Sequence, residues 1–466
     1  MSTQDSTGPG FQLLSLAPEI VENAIKQVND KRDLSNVRLV CKQLNKHATK
    51  KLFRDIFVSP SEENVGTWNS ISQDDNIRQT PRSAIIHTHT CVDSEVERDM
   101  FGNIIENEEI SDGLEQVLAA LPRFSNLDSI EIHFTRECIG DHETMRWETV
   151  VEPMSRREEV LTLIFQAIKD RAVDKKNRTI RKLTIVNLQN CHTAELTNSN
   201  LFRDVMGQLR ELHLSIMPEH NDRVPDRDYE RIELRTFPAY LCSEWLQPIS
   251  ANLRALSLYH QEDNWGPFPG YFDFSGLEFP NLETLALGYY TLAHDNDLDW
   301  VLAIKSLRRL ILHNCMVASK VRINKTNMDK WKVQTHDWTR ARDADQDGWT
   351  DRFMYGGKWS QYLNRIGSEL PNLIDIRFDY VPQDTEVPYS IQHRNDCRTR
   401  IFVQRYISFD NGVLPTHWLE ERGDGTLEMW MDEKTVTNVH KDSFDEDQRS
   451  LGSLVEKLRA RGSGHV

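Results

Sequence analysis

Three groups of side chains in this sequence have types and spacings that could do chemistry. Asp343-Ala344-Asp345-Gln346-Asp347-Gly348-Trp349-Thr350-Asp351 follows positions one to nine of a calcium-binding loop. Carboxylates at alternate positions converge on one cation there, and the glycine makes the sharp turn. Position twelve, however, is Met354, where a bidentate glutamate is needed, and Thr350 replaces an aliphatic residue. The expectation is an acidic surface loop. His87, His89 and Cys91 would share one strand face and are zinc-ligand types, but no fourth ligand is near in sequence. Ordinary strand residues are expected. The cysteines, Cys41, Cys91, Cys138, Cys191, Cys242, Cys315 and Cys397, are odd in number and contain no C-x-x-C. That pattern fits buried reduced thiols better than a disulfide framework or a zinc ribbon. No phosphate-cradling glycine loop, H-E-x-x-H or G-x-S-x-G occurs, and no carboxylate pair is singled out. No catalytic residue, metal or cofactor is expected.

The composition narrows the partners. The chain has 466 residues, 38% hydrophobic and 27% charged, enough for a packed core. Its 72 acidic residues against 56 basic ones leave a formal charge of −16. Phosphate binding needs clustered positive charge, so a nucleic-acid partner is not expected. No uncharged apolar run reaches the roughly 18 residues of a membrane span, so no membrane partner is expected. Residues 1–10 are polar and contain glycine and proline, which suggests a disordered tail with no secretory signal. A cytoplasmic or nuclear location follows as an expectation.

The elements differ along the chain. Residues 11–58 carry nine Lys or Arg and five Asp or Glu, a local +4 in a chain of −16. Ile20, Val21, Ala24, Ile25 and Val28 fall on one helical face after Pro18, a residue suited to a first turn. Asp33 is a candidate cap for a second helix through Leu34, Val37, Val40 and Cys41. A third runs from about Lys42 through Leu44, Ala48 and Leu52. Three short helices make a very small core, which leans on a neighbour or a partner.

Leu14-Ser15-Leu16-Ala17-Pro18-Glu19-Ile20, then Asp33-Leu34, Val37-Arg38-Leu39-Val40-Cys41-Lys42 and Lys51-Leu52-Phe53 resemble an F-box. Ala17 and Leu44 stand where that family usually has proline and tryptophan. The resemblance covers about a tenth of the chain. It implies docking on the Skp-type adaptor of cullin ubiquitin ligases. Leu14, Leu16, Pro18 and Ile20 would present one part of the contact. Leu34, Leu39, Val40 and Leu44 would divide between the module's own core and the contact. A buried leucine is worth roughly 1.5–3 kcal/mol, so a few such anchors sustain a complex.

Downstream, one pattern recurs: apolar, two residues, apolar, one residue, apolar. It occurs at Leu127-Ile130-Ile132, Ile180-Leu183-Ile185, Leu209-Leu212-Leu214 and Leu253-Leu256-Leu258. It continues at Leu282-Leu285-Leu287, Leu307-Leu310-Leu312 and Leu373-Ile376-Phe378. Asn126, Asn252, Asn281 and Asn372 precede four of the copies. The start-to-start steps are 53, 29, 44, 29, 25 and 66 residues, of which the shorter fit a leucine-rich repeat. The segment 83–92 alternates like an earlier rung. Helical faces at Leu114–Leu121, Val160–Ile168 and Trp359–Leu370 lie between the copies. The expected fold is α/β: a three-helix F-box module followed by an irregular leucine-rich-repeat-like solenoid with one parallel sheet, resembling the fungal F-box proteins of that type. The expected division is 11–58 for the module, 59–380 for the solenoid and 381–466 for a C-terminal cap, with Trp418 and Trp430 supplying bulk.

The reading is a substrate-recognition subunit of an SCF-type ubiquitin ligase that performs no bond chemistry. It would hold an unknown target near a cullin through the adaptor. Side chains pointing from the concave strands would touch that target: Glu131, His133, Lys182, Glu211, His213, Arg309, His313, Asp375 and Arg377. The rivals are an F-box protein in a non-degradative complex, a repeat scaffold whose N-terminal helices merely cap it, and an enzyme with an unrecognised site.

Overall fold

In the computed structural model of the chain the described residues are 16–89, 112–136, 152–217, 232–260, 264–268, 272–330, 332–340, 350–380, 397–410, 414–416, 419–421, 427–429 and 443–463. The tail 1–10, Leu14, Cys91, Cys138, most of the acidic loop (343–349), Trp418 and Trp430 lie outside them.

Pro18 opens the first helix, α1 (Pro18–Lys26). The second, α2 (Lys31–Val40), begins two residues before the expected cap, Asp33. Asp30 is the residue that caps it, accepting from the backbone of Arg32 at 2.6 Å and of Asp33 at 3.4 Å. This satisfies donors that a helix start leaves unpaired. The third, α3 (Lys42–Leu52), follows after the single extended residue Cys41. Val21, Ile25, Leu34, Leu44 and Ala48 form a buried cluster of their own, with Leu16, Val28, Val37, Cys41 and Leu52 against it. Lys51 ties the helices together: its Nζ donates to the Lys26 carbonyl at 2.6 Å and also to the Val28 carbonyl.

A nine-stranded sheet begins earlier than the sequence suggested. Its first strand, β1 (Asp55–Val58), lies inside the segment assigned to the helical module, so that module ends before residue 55. It is followed by β2 (Ser83–His87), β3 (Ser129–His133), β4 (Lys182–Gln189), β5 (Glu211–Met217), β6 (Ala255–His260) and β7 (Thr284–Gly288). After the short β8 (Thr291–Leu292) come β9 (Arg309–His313), β10 (Met316–Asn324), β11 (Trp338–Arg340), β12 (Thr350–Tyr355) and β13 (Asp375–Asp379). The sheet order is β1-β2-β3-β4-β5-β6-β7-β9-β13, every pair parallel.

All seven recurring copies lie in register. Ile130, Leu183, Leu212, Leu256, Leu285, Leu310 and Ile376 are successive partners, each facing the core. Two ladders explain the rest of the motif. Backbone N–H groups just ahead of the strands donate to the preceding turn, as from Arg210 to Arg181, Arg254 to Arg210 and Glu283 to Arg254, all at 2.7–2.8 Å. The asparagines add side-chain rungs: Asn126, Asn252, Asn281 and Asn372 donate to the carbonyls of Gln79, Gly207, Ala251 and Lys305. These rungs are solvent-exposed, and each such bond contributes about 0.5–1.5 kcal/mol, which gives the repeated amide a modest stabilising part. Helices at Asp112–Ala120, Met154–Arg171, Asn200–Gly207 and Trp359–Glu369 bury apolar faces in the same core.

The longest repeat step holds β10, β11 and β12 of a second sheet, whose order β11-β12-β10-β14-β15 is completed further along the chain by β14 (Tyr406–Asp410) and β15 (Leu414–Thr416). Only Asn314 and Cys315 separate β9 from β10, and Asn314 takes a φ of 53°. Asparagine tolerates that left-handed corner better than most residues. The C-terminal helix Phe444–Gly462 packs on Trp359–Glu369 behind the last strand. Asp447, fully buried, accepts from Arg405 at 2.7 Å, Tyr406 at 2.9 Å and the Ser360 backbone at 2.8 Å. Arg461 donates to the carbonyls of Gly367, Leu370 and Leu373. Backbone bonds between Phe378 and both Arg398 and Arg400 cover the free edge of β13, which would otherwise invite pairing with another chain. The segment around Arg398–Arg400 and the C-terminal helix are thus placed against the last rung, while β14 and β15 belong to the second sheet.

Candidate functional site

The three-helix module keeps apolar side chains outside its core. Leu39 is 84%, Val40 68% and Ile20 51% exposed, and Pro18 is exposed beside them on α1. Of the eight large apolar residues that stand exposed among the described residues, these three belong to the module, so the apolar surface concentrates there. The reason is local. Helix α2 turns Leu34 inward at 3% exposure, and its last turn then runs past the end of the small core. Leu34 and Leu44 are corrected by this division: both are sealed in the module and are not available to a partner. Leu16 is half-buried against the core. Lys42 and Lys46 stand exposed on α3, and Arg38 is held by Thr49 at 3.0 Å and over the Phe53 ring.

The concave face differs from expectation. Outward positions on the middle strands are buried: Thr184, His213, Ser257, Ala286 and Ile311 are each less than 10% exposed. His213 bonds Ser257 Oγ at 2.8 Å and lies 3.6 Å from Glu211. That imidazole holds the Glu211 carboxyl below the usual carboxylate range. His313 is 2% exposed, near the rings of Tyr259 and Tyr289. As target contacts His213 and His313 are therefore corrected: they are interior. Glu131 pairs with His133 at 2.7 Å. Asp375 bridges Arg309 at 2.8 Å and Arg377 at 3.2 Å. Lys182 is half-buried and Arg309 exposed. The polar side chains that reach solvent stand at the first positions of strands, at Lys182, Glu211, Arg309 and Asp375, and on the outer strands β3 and β13. His87 stacks on His133 at 4.6 Å, within a row of side chains from neighbouring strands.

One covering element escaped the sequence reading. Between β6 and β7, Trp265, Phe268, Phe272 and Phe274 are buried and pack across the strand ends. Trp265 contacts Phe272 and Tyr290 with ring centroids 4.7 and 5.0 Å apart and donates to the Gly288 carbonyl at 2.5 Å. Gly288 has to be glycine, because a Cβ there would sit 1.9 Å from the Tyr259 ring. Phe268 reaches Trp338 and Phe409 and so joins the two sheets. The signal was present as a density of aromatics among glycines and prolines at 265–274.

Beside this cover lies a cavity of about 700 Å³, lined among others by Phe274, Tyr290, His294, Asp297, Trp300 and His336. Burial pushes the Asp297 carboxyl up to about 6, although it accepts from the backbone of Ala293 and His294 at 2.6 and 2.7 Å.

No known protein family matches the sequence, and no curated protein matches it. Among solved structures, an internalin from Listeria monocytogenes overlaps 80% of this chain and 95% of its own, at 10% identity and a TM-score of 0.22. An overlap at that score carries no argument about this chain. No helix among the described residues is long and apolar enough to cross a membrane.

Proposed function

We propose that the chain is the substrate-recognition subunit of an SCF-type ubiquitin ligase. The F-box-like module docks a Skp-type adaptor, and through it a cullin. The leucine-rich-repeat-like solenoid presents a target protein. One observation carries the reading: a three-helix module with its own small core leaves Ile20, Leu39 and Val40 in solvent. Burying apolar area is worth about 25 cal/mol per Å², so such side chains favour a partner that covers them. The rival in which these helices only cap the solenoid calls for the same side chains to be packed against the repeats. Instead the module's buried cluster is separate from the solenoid's.

The chemistry asked of this chain is positional. Holding a target lysine near a charged ubiquitin carrier raises its effective concentration without any bond-breaking group on the scaffold. Target contacts fall to the polar side chains that reach solvent, at Glu131, His133, Lys182, Glu211, Arg309, Asp375 and Arg377. The test is co-purification of the full chain with a Skp-type adaptor. Leu39→Glu combined with Val40→Glu abolishes recovery of the adaptor while circular dichroism stays that of the folded chain. Undiminished recovery would overturn the docking reading.

A further inference from the structure

We infer that His294, His336 and Asp337 form a binding site for one divalent transition-metal ion of the zinc class, at the edge of the 700 Å³ cavity. The inference is independent of adaptor docking. One donor atom from each of the three residues lies within 4.8 Å of the others, the only such group of three found among the described residues. Two imidazoles and one carboxylate, with no thiolate, suit zinc, cobalt or nickel better than calcium or magnesium.

The fold prepares the ligands unevenly. His294 is buried, its ring stacked on Trp338 at 5.1 Å, and Nδ1 is 2.5 Å from Asp337 Oδ1. Asp337 Oδ2 accepts from the Asp295 backbone at 3.0 Å, so the carboxylate already has its orienting partner. Metal sites characteristically hold their ligands by such outer bonds. His336 stacks on His294 at 4.8 Å with Nε2 3.8 Å from Asp337 Oδ2, and its side chain is 59% exposed. Two parallel rings cannot both aim their lone pairs at one ion, so His336 must turn out of its stack to complete the set. Its exposure permits that turn. His294 and His336 also line the cavity, which leaves a fourth position open to water or to a small ligand there.

The ion would join the solenoid, through His294, to the segment leading into β11. Its removal would loosen the wall of the cavity without unfolding either sheet.

Titration of the purified full chain with Co²⁺ alone, followed by visible ligand-field absorption, tests the site. One tight equivalent is expected, and Zn²⁺ displaces it. His336→Ala, an exposed change, and Asp337→Asn, which keeps an acceptor for Asp295, each weaken Co²⁺ by at least about tenfold, the smallest loss usual for residues that only support a metal ligand. His47→Ala, on the N-terminal module, leaves affinity unchanged. Absence of a tight equivalent in the folded chain overturns the assignment. So does binding that survives both substitutions.

Discussion

The N-terminal helices and the solenoid solve opposite problems. The module has five buried core residues and keeps large apolar side chains outside. The solenoid's core runs continuously from Ile56 to Leu458, and even the polar outward positions of its middle strands are covered. A repeat array buries each rung against the next, so its stability accumulates along the chain. A three-helix unit of this size covers less of its own apolar surface, and in the proposed reading the uncovered residues serve association. Exposed apolar side chains are thus dense on the module, while the concave strands, where target contacts were expected, reach solvent at their first positions and on the outer strands.

Four substitutions and one labelling experiment break or sharpen this contrast. The largest effect is expected at the C-terminal cap. Asp447→Asn leaves Arg405 buried without its charge partner, and breaking such a pair costs about 3–5 kcal/mol. Denaturant unfolding followed by tryptophan fluorescence reads this cleanly, because every tryptophan lies beyond residue 67 and none reports on the helical module. Next, Leu212→Ala in the centre of the sheet should lower the same transition by about 2–5 kcal/mol. Leu34→Ala should instead melt helical signal in far-ultraviolet circular dichroism and leave the fluorescence transition in place. A common shift of both signals would show one cooperative unit and remove the contrast.

Smaller still, Asn281→Ala deletes one amide of the asparagine ladder, worth about 0.5–1.5 kcal/mol on the fluorescence transition. A zero effect would reduce the ladder to decoration. The mildest probe is thiol labelling. Burial pushes Cys242 and Cys397 up to about 12 and Cys315 higher still, so at pH 8 they stay protonated and shielded. Cys41, half-exposed between α2 and α3, should alkylate first among the described cysteines by mass spectrometry, and adaptor should slow it.

The rungs were readable because each of their apolar letters faces the core, so pattern and burial coincide at Leu209, Leu212 and Leu214 alike. The three N-terminal helices were readable for the same reason. β1 was missed because its four residues continue directly from the helical module. The second sheet was missed because its first strand starts three residues after a rung, across a corner that depends on the φ of Asn314. His294 and the pair His336 and Asp337 stand 42 residues apart in sequence, and only the pairing of the second sheet's strands brings their segments together. Covering of the concave strands has no sequence period at all, which is why His213 and His313 were assigned to the surface.

Light scattering on the full chain mixed with a purified Skp-type adaptor tests the central claim most directly. The account predicts a one-to-one complex that Leu39→Glu with Val40→Glu dissolves into its separate components. Two separate species with the unaltered chain, or a complex indifferent to that change, would contradict it.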